Sequence, residues 1–221
     1  MSRKSQPDKS NAKTGEKYDK LLEKGNALHK LGKLDEALKS FNEAIKINPE
    51  DPEVWTNKGA ALFGLGRFED ALECFDEAIK INPEDAVAWY NKGAALNELG
   101  RAEEAVKCHD EAIKIDPEDA GVWTNKGAAL FGLGRIDEAL ECFDEAIKID
   151  PEYENAWTNK GAALFGLGRI DEALESYDDA IKINPKYARA WYNKGVVLHD
   201  LGRDEEAKRC FDEAAKLNPE L

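Results

Sequence analysis

Residues 123–151 read Trp123-Thr-Asn-Lys-Gly127-Ala-Ala-Leu-Phe-Gly-Leu-Gly-Arg135-Ile-Asp-Glu-Ala139-Leu-Glu-Cys-Phe143-Asp-Glu-Ala146-Ile-Lys-Ile-Asp-Pro151. The stretch recurs with a period of 34 residues. Every tryptophan obeys it: Trp55, Trp89, Trp123, Trp157 and Trp191. Pro49, Pro83, Pro117, Pro151, Pro185 and Pro219 keep the same step. Self-similarity at a fixed period of this size is the mark of a stacked-repeat architecture, so it decides the fold before any local propensity does.

Working outward, six units follow one another without insertion: 18–51, 52–85, 86–119, 120–153, 154–187 and 188–221. Units two and four differ at only seven positions, which implies recent duplication or a consensus-like design. Residues 1–17 lack periodicity and carry a net charge of about +3. They are expected to be a disordered basic tail.

Each unit predicts two helices. Asp51, Asp85 and Asp119 are placed to cap the first. Gly66, Gly100, Gly134, Gly168 and Gly202 are placed where a helix ends with positive φ. Acidic pairs such as Glu69-Asp70 and Asp137-Glu138 suit the start of the second helix. The Pro after Asn or Asp ends it, because the residue before Pro avoids helical geometry. Apolar residues are spaced by three and four, not two, which excludes strands. In unit four Trp123, Gly127, Leu130 and Leu133 form one stripe. Ile136, Ala139, Leu140, Phe143, Ala146, Ile147 and Ile149 form the other. A lone helix pair cannot bury both stripes, so the units must stack.

The totals narrow the function. The chain has 221 residues and a net charge of -14, leaving about -17 on the repeats. Such a body repels phosphate backbones, so nucleic acid is not an expected partner. The apolar runs are too short to cross a bilayer, and no signal-like apolar stretch follows Met1, so a cytoplasmic protein without a membrane partner is expected. Cys74, Cys108, Cys142 and Cys210 fall on one repeat position, spaced too widely for disulfides or zinc. They read as free, partly buried thiols. The only histidines are His29, His109 and His199. His109 stands where other units have Phe and reads as a packed ring. No nucleophile–base set or phosphate-binding glycine loop is present, so neither an enzyme nor a cofactor is expected.

The pattern Trp123, Gly127, Ala139, Phe143 and Pro151 resembles the tetratricopeptide repeat, and the Asn-Lys-Gly form looks like repeats common in archaea and bacteria. Leu21 replaces Trp in unit one, and His109 and Tyr177 replace Phe in units three and five. The resemblance covers residues 18–221. It implies an all-α, right-handed α-solenoid whose first helices line a concave groove. It also implies a non-enzymatic scaffold that holds a protein or peptide segment in that groove. A carboxylate clamp of the kind some family members use would fall on Leu22, Asn26, Asn57, Val87 and Asn91, or on Thr124, Ala128, Asn159, Arg189 and Asn193. Only two of five match in either register, and the needed cations are missing.

The groove residues expected from the stripe offset are Thr56, Asn57 and Phe63 in unit two, and Tyr90 and Asn91 in unit three. Unit four adds Thr124, Asn125 and Phe131, unit five Thr158, Asn159 and Phe165, and unit six Tyr192 and Asn193. The aromatic rings would supply apolar contact, and the amides would bond a peptide backbone. Gly64, Gly132 and Gly166 would open room beside the rings. Lys58 and its equivalents are expected to pack their stems and send the ammonium towards acidic residues. In unit six Asp204, Lys208 and Ala215 replace apolar residues, so residues 188–221 read as a polar cap. A rigid spacer, a weakly self-associating array and an accessory domain of a larger protein are the alternatives.

Overall fold

The computed structural model describes residues 9–219, with side chains from residue 13. Among them it holds twelve α-helices and no strand. They are α1 (Lys9–Lys30), α2 (Leu34–Ile47), α3 (Pro52–Gly64), α4 (Phe68–Ile81), α5 (Ala86–Glu98), α6 (Ala102–Ile115), α7 (Ala120–Gly132), α8 (Ile136–Ile149), α9 (Glu154–Gly166), α10 (Ile170–Ile183), α11 (Ala188–Asp200) and α12 (Asp204–Leu217).

The helices form two compact units, α1–α5 and α6–α12. In the first, α1 pairs with α2 and α3 with α4, while α3 packs on α2 and α5 on α4. In the second, α7–α8, α9–α10 and α11–α12 are pairs, with α6 on α7, α9 on α8 and α11 on α10. Each unit is thus a stack of helix-turn-helix repeats. First helices also touch first helices: α1 meets α3 and α3 meets α5, and α7 meets α9 and α9 meets α11. Second helices make no such contacts with each other within either unit. The first helices therefore line the closed, inner side of each stack.

Local chemistry explains the boundaries. Asp51 accepts from Glu53 N (2.9 Å), Asp85 from Ala88 N (3.1 Å), and Asp119 from Gly121 N and Val122 N (2.7 and 3.2 Å), as capping predicts. Tyr153 and Tyr187 stand at the same place before α9 and α11 and give no side-chain cap. The five expected turn glycines and Gly32 have φ of 71° to 74°. The turn closes with Gly66 N donating to Phe63 O and Arg67 N to Leu62 O, the doubled bond of a Schellman ending. Asn82 precedes Pro83 with φ -130° and ψ 95°, ending α4 in extended geometry.

The repeat signature resolves into two contacts. Each tryptophan donates its indole N–H to the carbonyl of the proline six residues earlier, from 2.8 Å at Trp55–Pro49 to 3.0 Å at Trp191–Pro185. Glycine at the first-helix crossing makes room for a ring of its own repeat's second helix. A Cβ on Gly127 would lie 2.5 Å from Phe143 Cε1, and one on Gly161 2.7 Å from Tyr177 Cε1. Between units four and five, Trp123 packs against Ala146 and Ala156 with Ile147, Ile149 and Tyr153.

Part of the stretch read as a tail is helical. Residues 1–8 lie outside the described residues, but α1 begins at Lys9, well before residue 18. Adding turns to an existing helix costs far less than nucleating one. Residues 9–17 offer the good helix formers Ala12, Lys13, Glu16 and Lys17 against the poorer Asn11, Thr14 and Gly15. The helix is anchored at Tyr18, which is buried and donates its hydroxyl to Asp51 Oδ2 at 2.6 Å.

Candidate functional site

On α7 the buried positions are Ala120, Val122, Thr124, Gly127, Ala129 and Leu130. That leaves Asn125, Ala128, Phe131 and Gly132 as an open stripe, with Ala128, Phe131 and Gly132 exposed and Asn125 half-buried. The spacing of three and four places these residues on one helical face. Phe131 is 38% exposed. Its Cε2 lies 3.6 Å from where a Cβ on Gly166 of α9 would sit. The ring therefore bridges two neighbouring first helices and still offers a face to solvent. Asn159, Ala162 and Phe165 continue the stripe on α9, and Asn193 and Val196 on α11, all half-buried.

The amides fall into two classes. Asn57 donates to Asn26 Oδ1 at 2.9 Å, linking α3 to α1, and Asn159 accepts from Arg189 Nη2, linking α9 to α11. Asn91, Asn125 and Asn193 make no side-chain hydrogen bond among the described residues. A half-buried amide retains two donors and an acceptor for an incoming backbone.

Other expected groove residues are placed differently. Thr56, Thr124 and Thr158 are buried, at 6%, 2% and 0% exposure. Thr124 and Thr158 donate to Ala120 O and Glu154 O of their own helices, both at 2.8 Å, and Thr56 to Asp85 Oδ2 at 3.1 Å. The Thr56–Asp85 bond shows why: this position faces the N-cap of the next first helix, α5, rather than the groove. At the same position Tyr90 is half-buried, and Tyr192 is 37% exposed with its ring 5.6 Å from that of Phe211 on α12. Phe63 is half-buried and stands edge-on to Phe68 at 5.3 Å, so it packs on its own second helix.

The glycines beside these rings do not all open space. A Cβ at Gly64 would meet Leu34 at 2.9 Å, so that room is already filled. Each is the last residue of its helix.

The second-helix side carries a repeated set of ion pairs. Lys92, Lys126 and Lys160 reach Asp76, Asp110 and Asp144 at 2.6, 2.7 and 2.7 Å, and Lys194 pairs with Asp178. Every partner lies sixteen residues back, on the preceding repeat's second helix. Lys58, Lys92, Lys126 and Lys160 also lie 5.3 to 5.5 Å over the ring centroids of Trp55, Trp89, Trp123 and Trp157. The sequence pointed to acidic partners in general; the register of sixteen follows only from the stacking.

Titratable chemistry is sparse. His109 is fully buried, and its pKa is lowered to about 4, chiefly by burial of the ring, with Asp110 opposing and Lys126 assisting. Burial pushes the Cys74 and Cys142 thiols up to about 11. All four cysteines are buried and free. His199 is exposed and 2.9 Å from Asp204. Among the described residues no cluster of His, Cys, Asp and Glu could hold a metal, and no helix is long and apolar enough to cross a membrane.

Comparisons with known proteins agree with this anatomy. The Tetratricopeptide repeat family matches residues 52–85, 86–119, 120–153 and 188–221, and a second Tetratricopeptide repeat description matches 142–175. A family described as TPR repeat matches 25–66 and 161–202. No curated protein matches the chain in sequence. Among solved structures, Pseudomonas aeruginosa pilF superposes with a TM-score of 0.79 at 19% identity, over 93% of this chain and 94% of that one. A MamA fragment from Desulfovibrio magneticus RS-1 gives 0.71 at 24% identity, over 79% and 98%. YrrB, described as a TPR protein with an unusual peptide-binding site, gives 0.61 at 26% identity, over 81% and 92%. A period of 34 residues, the Trp–Pro and Gly–ring contacts that explain it and the family matches converge: this chain belongs to the tetratricopeptide-repeat family.

Proposed function

We propose that the protein is a non-enzymatic interaction scaffold that holds a peptide segment of a partner protein against the inner side of its first helices. The observation that carries the reading is the α7 stripe, where Asn125, with no internal hydrogen bond, lies on one face with exposed Ala128 and Phe131. An unpaired amide beside an exposed ring suits a peptide, which brings both backbone polar groups and apolar side chains. Asn91 and Asn193 offer the same amide chemistry on α5 and α11, and Phe165 and Tyr192 add ring surface in the second unit.

The contact set is smaller than the stripe offset suggests. Thr56, Thr124 and Thr158 drop out through burial, and Phe63 contributes only its half-open edge. The peptide-binding site named for YrrB supports the reading by similarity. The four buried free thiols fit a reducing compartment such as the cytoplasm. The test is affinity capture from source-cell lysate with the wild type and with Asn125→Ala/Phe131→Ala/Phe165→Ala. The proposal expects captured proteins to be lost with the variant while its circular dichroism is unchanged. Equal capture by both chains contradicts it.

A further inference from the structure

A cleft of about 640 Å³ opens on the second-helix side of the first unit, lined by residues including Leu38, Asn42, Trp55, Lys58, Arg67 and Glu73. Its counterpart in the second unit, about 600 Å³, has Val106, Asp110, Trp123, Lys126, Arg135 and Glu141 at the matching positions. One difference separates the two charge patterns. Asp110 pairs with Lys126 at 2.7 Å in the second cleft, and the aspartates facing Lys92, Lys160 and Lys194 do the same elsewhere. In the first cleft the residue sixteen before Lys58 is Asn42.

An amide has the shape of a carboxylate but no charge, so Lys58 lacks the anion that its four equivalents possess. Among the described residues Lys58 shows a contact with the Trp55 ring, 5.3 Å from its centroid, and no ion pair. The carboxylates around it are largely committed. Asp70 is bonded by Arg67 Nε at 2.7 Å, Asp76 by Lys92 at 2.6 Å and Glu77 by Lys80 at 3.3 Å. Glu73 is the remaining acidic wall.

We infer that the cleft beside Trp55 is a carboxylate-binding subsite, in which an aspartate or glutamate side chain of a partner segment takes the place that Asp110 fills in the second unit. The bond is made to Lys58 Nζ, and the Asn42 amide, unlike a carboxylate, can donate to the same oxygen. Glu73 disfavours a second negative charge nearby, so the segment carries an isolated acidic residue rather than an acidic run. The site is built on the second-helix side of its own stack, uses none of the first-helix stripe residues, and stands independently of the peptide-binding proposal.

The experiment follows the five indole N–H signals by NMR, with Trp55 assigned through Trp55→Phe. The probe is the capped peptide acetyl-Gly-Glu-Gly-amide, with sodium acetate as a free carboxylate and acetyl-Gly-Gln-Gly-amide as an uncharged control. The proposal expects the glutamyl peptide to move the Trp55 signal selectively, the glutaminyl peptide to leave it in place, and acetate to move it less at equal concentration. Asn42→Asp, an exposed change that restores the internal carboxylate, and Lys58→Met should each abolish the shift. Asp110→Asn should create a second site, so that the Trp123 signal moves as well. An undiminished Trp55 shift in Asn42→Asp, or a Trp123 signal that stays still in Asp110→Asn, overturns the inference. Acetate acting as strongly as the peptide overturns the assignment to a partner's side chain.

Discussion

The Lys160 ammonium stands 2.7 Å from Asp144 Oδ1, across the junction between two successive repeats. Its other neighbour is the Trp157 ring, 5.5 Å to the centroid. The lysine thus joins its own first helix to the second helix before it. The side chain of Lys160 is 25% exposed and that of Asp144 58%, so solvent screens the pair.

A double-mutant cycle with Lys160→Met and Asp144→Asn should therefore give a coupling of about 0.5–1 kcal/mol in low salt, the range of partly exposed pairs. Molar salt should remove most of it, and urea midpoints under both conditions provide the check. A coupling that salt leaves unchanged would mean that packing, not charge, joins the repeats there.

Glycines on the two faces of a first helix should respond with opposite sign. Gly127→Ala drives a methyl into Phe143 Cε1, 2.5 Å away, and is expected to cost about 1–3 kcal/mol. Gly166→Ala meets Ile136 and Phe131 at 3.6 Å, an ordinary contact, and is expected to stabilise by about 0.5 kcal/mol through the unfolded chain. Denaturant titration of the two variants reads both signs.

His109 gives the stability a pH dependence. Burial holds its folded pKa at about 4 against an ordinary 6.5, so the unfolded chain binds the proton first. Its contribution is complete above about pH 6.5 and is lost as the pH falls towards 4. The loss amounts to about 3 kcal/mol across the window, at 1.36 kcal/mol per unit. His109→Phe, which installs the ring that most other repeats carry, should remove this part of the acid sensitivity. Midpoints of both chains at pH 5 and pH 7.5 test it: the gap between them should widen at the lower pH.

Thr158→Val should leave partner capture unchanged and shift stability by less than about 1 kcal/mol. Thr158 is fully buried, its hydroxyl bonds only Glu154 O within α9, and removing that bond strands no other side chain. Loss of capture in this variant would restore the threonines to the site.

The helix pairs, their capping aspartates and their turn glycines were legible because each depends on chemistry within one repeat. Trp157 and Pro151 were both visible as markers, but their bond depends on how the chain turns between units. The burial of Thr56, Thr124 and Thr158 was not legible for a related reason: helical spacing separates faces but does not say which face the next repeat covers. The Lys160–Asp144 register and the Asn42 exception depend on stacking as well. The charge on residues 9–17 was visible, but not that a helix anchored at Tyr18 would run back through them.

The central proposal is that a partner lies on the first-helix side. The most direct measurement is hydroxyl-radical footprinting of the protein alone and bound to its captured partner. Phe131 and Tyr192, 38% and 37% exposed in the free chain, should lose reactivity in the complex, while Ile115 on a second helix, 37% exposed, should keep it. Protection of Ile115 with Phe131 left fully reactive would contradict the account.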